Sequence, residues 1–222
     1  MGAGNERMGK KQDRERIVAE IKKAAALYKT HLVGKRFLYV FEGRYIEVIY
    51  KAVNFKHLTG VETPLSARKF YEYSVKNQLQ ASQIYFSPRH PFTLCKKKIK
   101  HICEIAVLAG AESFLLEEIK TSTRSFKFGT TNLNFSLCMN KEIDEYGREK
   151  GDCYIVESLR DEDCFSKCKD VFVITHIFSR DNDKKKYTEL LYTDLLGGNA
   201  DLPDAITALL SDELKDQYKK VL

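Results

Sequence analysis

The sequence predicts an α+β fold, and three observations carry that prediction. Apolar residues recur at helical spacing near the N-terminus, an aromatic hairpin follows, and after further helical segments the second half reads in strand period. The order is therefore N-terminal helix and hairpin, intervening helices, an antiparallel sheet, and a C-terminal helix.

The elements follow in turn. Residues 1–12 read as a charged, disordered tail, with Met8 as an alternative start, and 13–222 as a single domain. Across 13–28, Ile17, Ile21, Ala24, Ala25 and Tyr28 form one apolar stripe. Two runs, FLYVF (37–41) and YIEVIY (45–50), are joined by Glu42-Gly43-Arg44, the signature of a hairpin. Ser66 is placed to cap a helix through Ala67, Phe70, Tyr71 and Tyr73, whose tyrosines are expected to pack rather than stack on bases. A short segment over 79–86 ends at the loop Ser87-Pro88-Arg89-His90-Pro91. The next helix spans 95–108, with Cys95, Ile99, Ile102, Cys103 and Ala106 inward. That register puts Lys96 and Lys98 at the borders of the buried face and turns Lys97 and His101 toward solvent. A helical stretch at 112–120 leads into strands at 125–129, 134–139, 153–159 and 171–178, with a polar turn at 144–151. Residues 187–192 read as strand or short helix, Gly197-Gly198 breaks the chain, and Pro203 opens a terminal helix to about residue 218.

Composition narrows the classes. The chain has 222 residues, 43% hydrophobic and 31% charged, enough to build a core under a soluble surface. No run approaches about eighteen consecutive apolar residues, so no membrane association is expected. The charged N-terminus lacks an apolar signal segment, and a cytoplasmic location is expected. A net charge of +6 is compatible with a nucleic-acid partner, and the clusters at 96–100 and 184–186 are where phosphate tracking would begin, although surface lysines are commonly just solvated. The six cysteines form no C-x-x-C pair; the nearest spacings are Cys164-x-x-x-Cys168 and His101-x-Cys103. Free thiols, no metal site and no cofactor are expected. P-loop, dinucleotide-binding, zincin and α/β-hydrolase motifs are all missing.

The stretch Asn54-Phe55-Lys56-His57-Leu58-Thr59-Gly60 is the best candidate for chemistry. In extended geometry His57 and Thr59 share one face and Leu58 points to the other, while Gly60 permits a turn or a close approach. A lone histidine near a strand end is often only structural. Phe-x-His-Leu-Thr-Gly after an aromatic hairpin and an amphipathic helix, however, resembles the phage-associated barnase–EndoU–colicin–RelE-like nucleases, closest to the fourth of those families. The resemblance runs loosely from about Tyr28 to about Pro203. It implies a nuclease-like domain with a sheet of that type, and a metal-independent endoribonuclease, toxin-like or of the phage-conflict kind. It also implies roles for His57 and Thr59, and for a lysine at the start of the 95–108 helix, of which Lys98 is the first choice.

Cutting RNA without a metal needs a base for the 2′-hydroxyl, donors for the phosphorane and an acid for the departing 5′-oxygen. His57 suits the base or acid role, Thr59 its orientation or a bond to the phosphate, and Lys98 with Arg124 the phosphorane. Thr130 or Thr131 would add a hydroxyl donor. Lys96, Lys97, Arg89 and His90 are candidate RNA contacts. His176, on the apolar run VITHIF, is expected to be a core or sheet-face histidine. Glu47 and Glu157 lie within strands, where either would pair with a cation or face solvent. RNA is the expected partner, with transfer RNA one candidate, and an inhibitor or antitoxin protein is another. The alternative is an inactive module that binds RNA or protein on the same scaffold, since no second histidine stands out.

Overall fold

The computed structural model describes residues 2–194 and 202–221, with side chains for 11–194 and 202–218. Residues 197 and 198 lie outside them. Helix α1 (Gly2–His31) leads into the hairpin β1 (Lys35–Phe41) and β2 (Arg44–Ile49). Glu42 and Gly43 both take positive φ, 46° and 68°, which gives the turn the twist that two paired strands require. A 3₁₀ turn and the short helix α2 (Phe55–Thr59) follow, then α3 (Ala67–Val75), α4 (Phe92–Ile102) and α5 (Ile105–Leu108). Ser66 caps α3 by accepting from the Lys69 amide at 3.3 Å. The second half supplies β3 (Phe114–Lys120), β4 (Ser125–Thr131), β5 (Ser136–Ile143), β6 (Glu149–Arg160), β7 (Asp170–Val173), β8 (His176–Asp181) and β9 (Glu189–Thr193). The chain ends in α6 (Asp204–Thr207) and α7 (Asp212–Val221).

Among the described residues the strands form one nine-stranded sheet, ordered β7-β3-β4-β5-β6-β2-β1-β8-β9. Its pairings are antiparallel except β2 with β6, which run parallel. Laid flat, this order would separate β7 from β8 by about 34 Å at the usual strand spacing. Only Ile174 and Thr175 join them, a link that reaches roughly 10 Å. The sheet must therefore roll round until its ends meet. Ile174 N donates to Ser113 O beside β3 at 3.3 Å, and Thr175 N donates to Val40 O in β1 at 2.8 Å. Phe41 of β1 packs against Phe172 of β7, ring centroids 5.2 Å apart.

The main core lies between the inner surface of this rolled sheet and helices α1 to α5. The predicted stripe Ile17, Ile21, Ala24, Ala25 and Tyr28 is buried there, and Tyr28, Phe55 and Tyr71 meet ring to ring. A second cluster sits on the outer face, where Leu38, Val40 and Phe178 are covered by Ile206, Leu210 and Leu214 of the C-terminal helices. β1 is thus buried on both faces, which is why FLYVF reads as a continuous apolar run.

Four expectations about elements are corrected. Residues 112–120 form β3, not a helix: Leu115, Leu116 and Ile119 fit helical spacing, but the strand lies between β7 and β4, and Glu118, at φ 53°, interrupts the ladder. The run 171–178 is two strands placed almost at opposite ends of the sheet order. The 95–108 helix breaks at Cys103-Glu104 into α4 and α5, and the terminal helix breaks at Leu210, which bridges to Tyr187. Of residues 187–192, those from 189 on lie in the strand β9, and Tyr187 before it makes the isolated bridge to Leu210. His176 is buried, with Nε2 2.7 Å from Tyr218 Oη.

Packing between β3 and β5 leaves no room at Gly129: a Cβ there would lie 2.6 Å from Ile119 Cδ1 and 3.1 Å from Leu137 O. Gly129→Ala is expected to destabilise the fold by about 1–3 kcal/mol, measured as a lower urea midpoint with an unchanged slope.

Candidate active site

The stretch expected to be extended is helical. α2 is only five residues long, ended by Gly60 at φ 72° in the left-handed region that favours glycine. Helical geometry turns Phe55, Leu58 and Thr59 into the core and leaves His57 exposed on the other side. His57 and Thr59 therefore do not share a face. The Thr59 hydroxyl donates to Lys56 O at 2.7 Å and accepts from Val61 N at 3.3 Å, which fixes the end of the helix.

α2 is clamped from two sides. Asn54 Nδ2 donates to Val156 O of β6 at 3.0 Å, and Cys95 Sγ of α4 donates to Gly60 O at 2.9 Å. The stem of Lys98 crosses Gly60 so closely that a Cβ there would lie 2.8 Å from Lys98 Cδ. Its ammonium then donates to His57 O at 3.4 Å. Glycine at position 60 is needed for both the φ value and this crossing.

His57 and Lys98 open into a cleft of about 700 Å³ between α2, α4, the 87–91 loop and the ends of β4 and β6. Arg89, His90, Lys97, Arg124 and Arg160 also line it, with Glu157, Asp161 and Glu162 as its acids. Of the residues singled out from sequence, His57, Lys98, Arg124, Lys97, Arg89 and His90 thus meet in one cleft. Thr59 lies behind it in the core. Thr130 is buried in β4 without a hydrogen-bond partner for its hydroxyl, and Lys96 is exposed; neither lines the cleft. Thr131 is also buried, donating to Phe135 O at 2.7 Å.

Each acid of the cleft already has a cation. Glu157 pairs with Arg124 at 2.7 Å, Asp161 pairs with Lys97 at 3.5 Å, and Glu162 pairs with Lys167. Asp161 also sits 2.7 Å from Nε2 of His101, which is buried and stacked on Phe135 at 4.9 Å instead of facing solvent as expected. What buries it is its contact with Asp161 and Phe135, both supplied by the second half of the chain. Among the described residues, Arg89, Lys98 and Arg160 are left without a carboxylate. Arg160 Nη2 bonds only the hydroxyls of Thr121 and Thr123, each at 3.3 Å, and its Nε is buried with no partner.

The electrostatic consequences are specific. Burial, reinforced by the Arg160 charge, pushes the Lys98 ammonium down to about 8. Partial burial and the charges of Lys56, Lys98, His90 and Arg124 hold His57 below the ordinary histidine value. At neutral pH His57 is therefore an unprotonated imidazole beside unpaired cations, suited to taking a proton next to an anion.

Arg160 was missed in the sequence. Ser158 and Arg160 occupy alternate positions after the apolar run of β6, so strand period could have placed both at one sheet end. Thr121 and Thr123 are brought to Arg160 by a turn that only the fold reveals. No group of three or more His, Cys, Asp or Glu side chains among the described residues is arranged to hold a metal, and the six cysteines are free thiols. No helix among the described residues is long and apolar enough to cross a membrane.

The chain is thus an α+β domain with a rolled, mostly antiparallel sheet and a cationic cleft carrying histidines. Residues 20–196 match the family described as phage-Barnase-EndoU-ColicinE5/D-RelE like nuclease4, and the chain belongs to that family. Neither the curated proteins nor the solved structures contain a match to it.

The depressed Lys98 value carries a stability prediction. Between about pH 8 and the unfolded lysine value the unfolded chain binds more protons at this site, so stability contributed here rises with pH. Lys98→Met is expected to raise unfolding stability at pH 7 by roughly 1–3 kcal/mol, with the gain shrinking toward pH 10, in urea titrations at both pH values.

Proposed function

We propose that this protein is a metal-independent endoribonuclease. The observation that carries the reading is the convergence of a neutral His57 with Lys98 and Arg160, two cations that lack carboxylate partners among the described residues. Holding like charges together is unfavourable, and a bound phosphate offsets that cost. The scissile phosphate sits against Lys98 and Arg160, with Arg89 at the rim. His57 removes the proton of the neighbouring 2′-hydroxyl, whose oxygen attacks phosphorus and expels the 5′-oxygen. The products are a 2′,3′-cyclic phosphate and a 5′-hydroxyl. DNA, lacking the nucleophile, is spared.

The positive lining supports the choice against a metal route, because free cations repel a divalent ion and the cleft acids are already engaged. Arg124, committed to Glu157, contributes less than Arg160. A toxin-like or phage-conflict role, with transfer RNA among the substrates and an inhibitor protein as counterpart, fits such an enzyme.

The test is incubation of the full chain with total cellular RNA in EDTA. Wild type should yield discrete fragments ending in 2′,3′-cyclic phosphate, and His57→Ala and Arg160→Ala should each lose about 10²–10³-fold in rate. Arg124→Ala should lose markedly less. The acid limb of the pH–rate profile should fall below the ordinary histidine range of about 6.5, because burial and neighbouring cations disfavour protonated His57. Intact RNA with retention in a gel shift would replace the enzyme with a binding module; cleavage surviving His57→Ala would sink the assignment of the base.

A further inference from the structure

The attack on phosphorus leaves a 5′-oxygen that needs a proton, and the residues so far assigned do not supply it. The loop between the 3₁₀ turn Ala81–Gln83 and α4 does. Ser87 and His90 close a tight turn, each backbone N–H donating to the other's carbonyl at 3.1 Å. Beneath it lies Glu62, fixed to the loop by paired backbone bonds with Tyr85 at 3.1 and 2.9 Å. The Glu62 carboxylate accepts from Ser87 Oγ at 2.6 Å and lies 3.0 Å from Nδ1 of His90. These bonds hold Glu62 below the usual carboxylate range, so it is the acceptor and Nδ1 carries the hydrogen. The His90 ring lines the same cleft as His57, and its Nε2 has no partner among the described residues.

We propose that His90 is the second proton-transfer residue of the cleft, with Glu62, held by Ser87, as the positioning residue that sets its tautomer. The assignment rests on the endoribonuclease reading above. In the step, the 2′-oxygen bonds to phosphorus and its proton passes to the His57 imidazole. The bond from phosphorus to the 5′-oxygen breaks, and that oxygen takes the Nε2 proton of His90. His90 is left with its remaining hydrogen on Nδ1, where Glu62 already accepts it, so no tautomer shift is needed. Proton exchange with water restores both rings.

The test compares a short RNA carrying one cleavable linkage with the same RNA in which sulfur replaces the 5′-oxygen at that linkage. A thiolate leaves without a proton, so the sulfur substrate makes the acid dispensable. His90→Ala is expected to cleave the oxygen substrate about 10²–10³-fold more slowly than wild type, and the sulfur substrate within about tenfold of it. His57→Ala should be slow on both. Glu62→Gln should lower kcat with KM held, and that loss should shrink on sulfur. His90→Gln, which keeps a side chain able to bond Glu62, should repeat the His90→Ala pattern and guard against loss of the turn. Equal losses of His90→Ala and His90→Gln on both substrates, or no loss on either, would overturn the assignment. Wild type that cleaves neither substrate would overturn the endoribonuclease reading itself, and this assignment with it.

Discussion

The two-residue link of Ile174 and Thr175 is the constraint on which the rest of the molecule depends. It forces a sheet that would otherwise be open to roll until β7 and β1 meet, and so creates an inside and an outside. The inside receives α1 to α5. The parallel contact of β2 with β6 carries the second half of the chain back beside the hairpin. That contact places the end of β6, and with it Glu157, Arg160 and Asp161, under the short helix that leaves β2. The cleft is a product of this closure: one wall belongs to the first half of the sequence and the other to the second.

Within the cleft, charge is distributed by purpose of contact. The acids are consumed by neighbours that shape the walls, and the residues left over are cations and imidazoles. Lys98 shows how this is enforced. Its stem is laid across Gly60, so its ammonium cannot withdraw into solvent without lifting off α2, while on the same helix Lys96 faces elsewhere and Lys97 is engaged by Asp161. A site that holds cations close together, some of them with no carboxylate paired to them among the described residues, has a standing preference for an anionic occupant.

Much of the fold was legible because its strongest signals are local. The α1 stripe, the hairpin turn and the Ser66 cap each declare themselves within a few residues. β3 was not legible, because Leu115, Leu116 and Ile119 fit both periods and only the partners on either side decide. VITHIF read as one strand because both of its halves are apolar; nothing in the run shows that two residues turn the corner between sheet ends. The lysine-rich helix and the stretch ending at Gly60 do meet at one cleft, yet the extended geometry given to His57 was wrong and Thr59 turned inward with it. Arg160, the Glu62–His90 contact and the burial of His101 depend on residues 28 to 60 positions apart, and no spacing rule reaches that far.

The outer cluster of β1 and β8 has a consequence for where this protein begins and ends as a physical object. The family match stops at residue 196, yet Leu38, Val40 and Phe178, all inside it, are covered by Ile206, Leu210 and Leu214, which lie beyond it. Ile17 and Val18, buried in the main core, likewise precede the match. A piece cut at the family's borders would leave β1 and β8 with one greasy face bare to water. What relatives share and what folds as a unit are here two different lengths of chain.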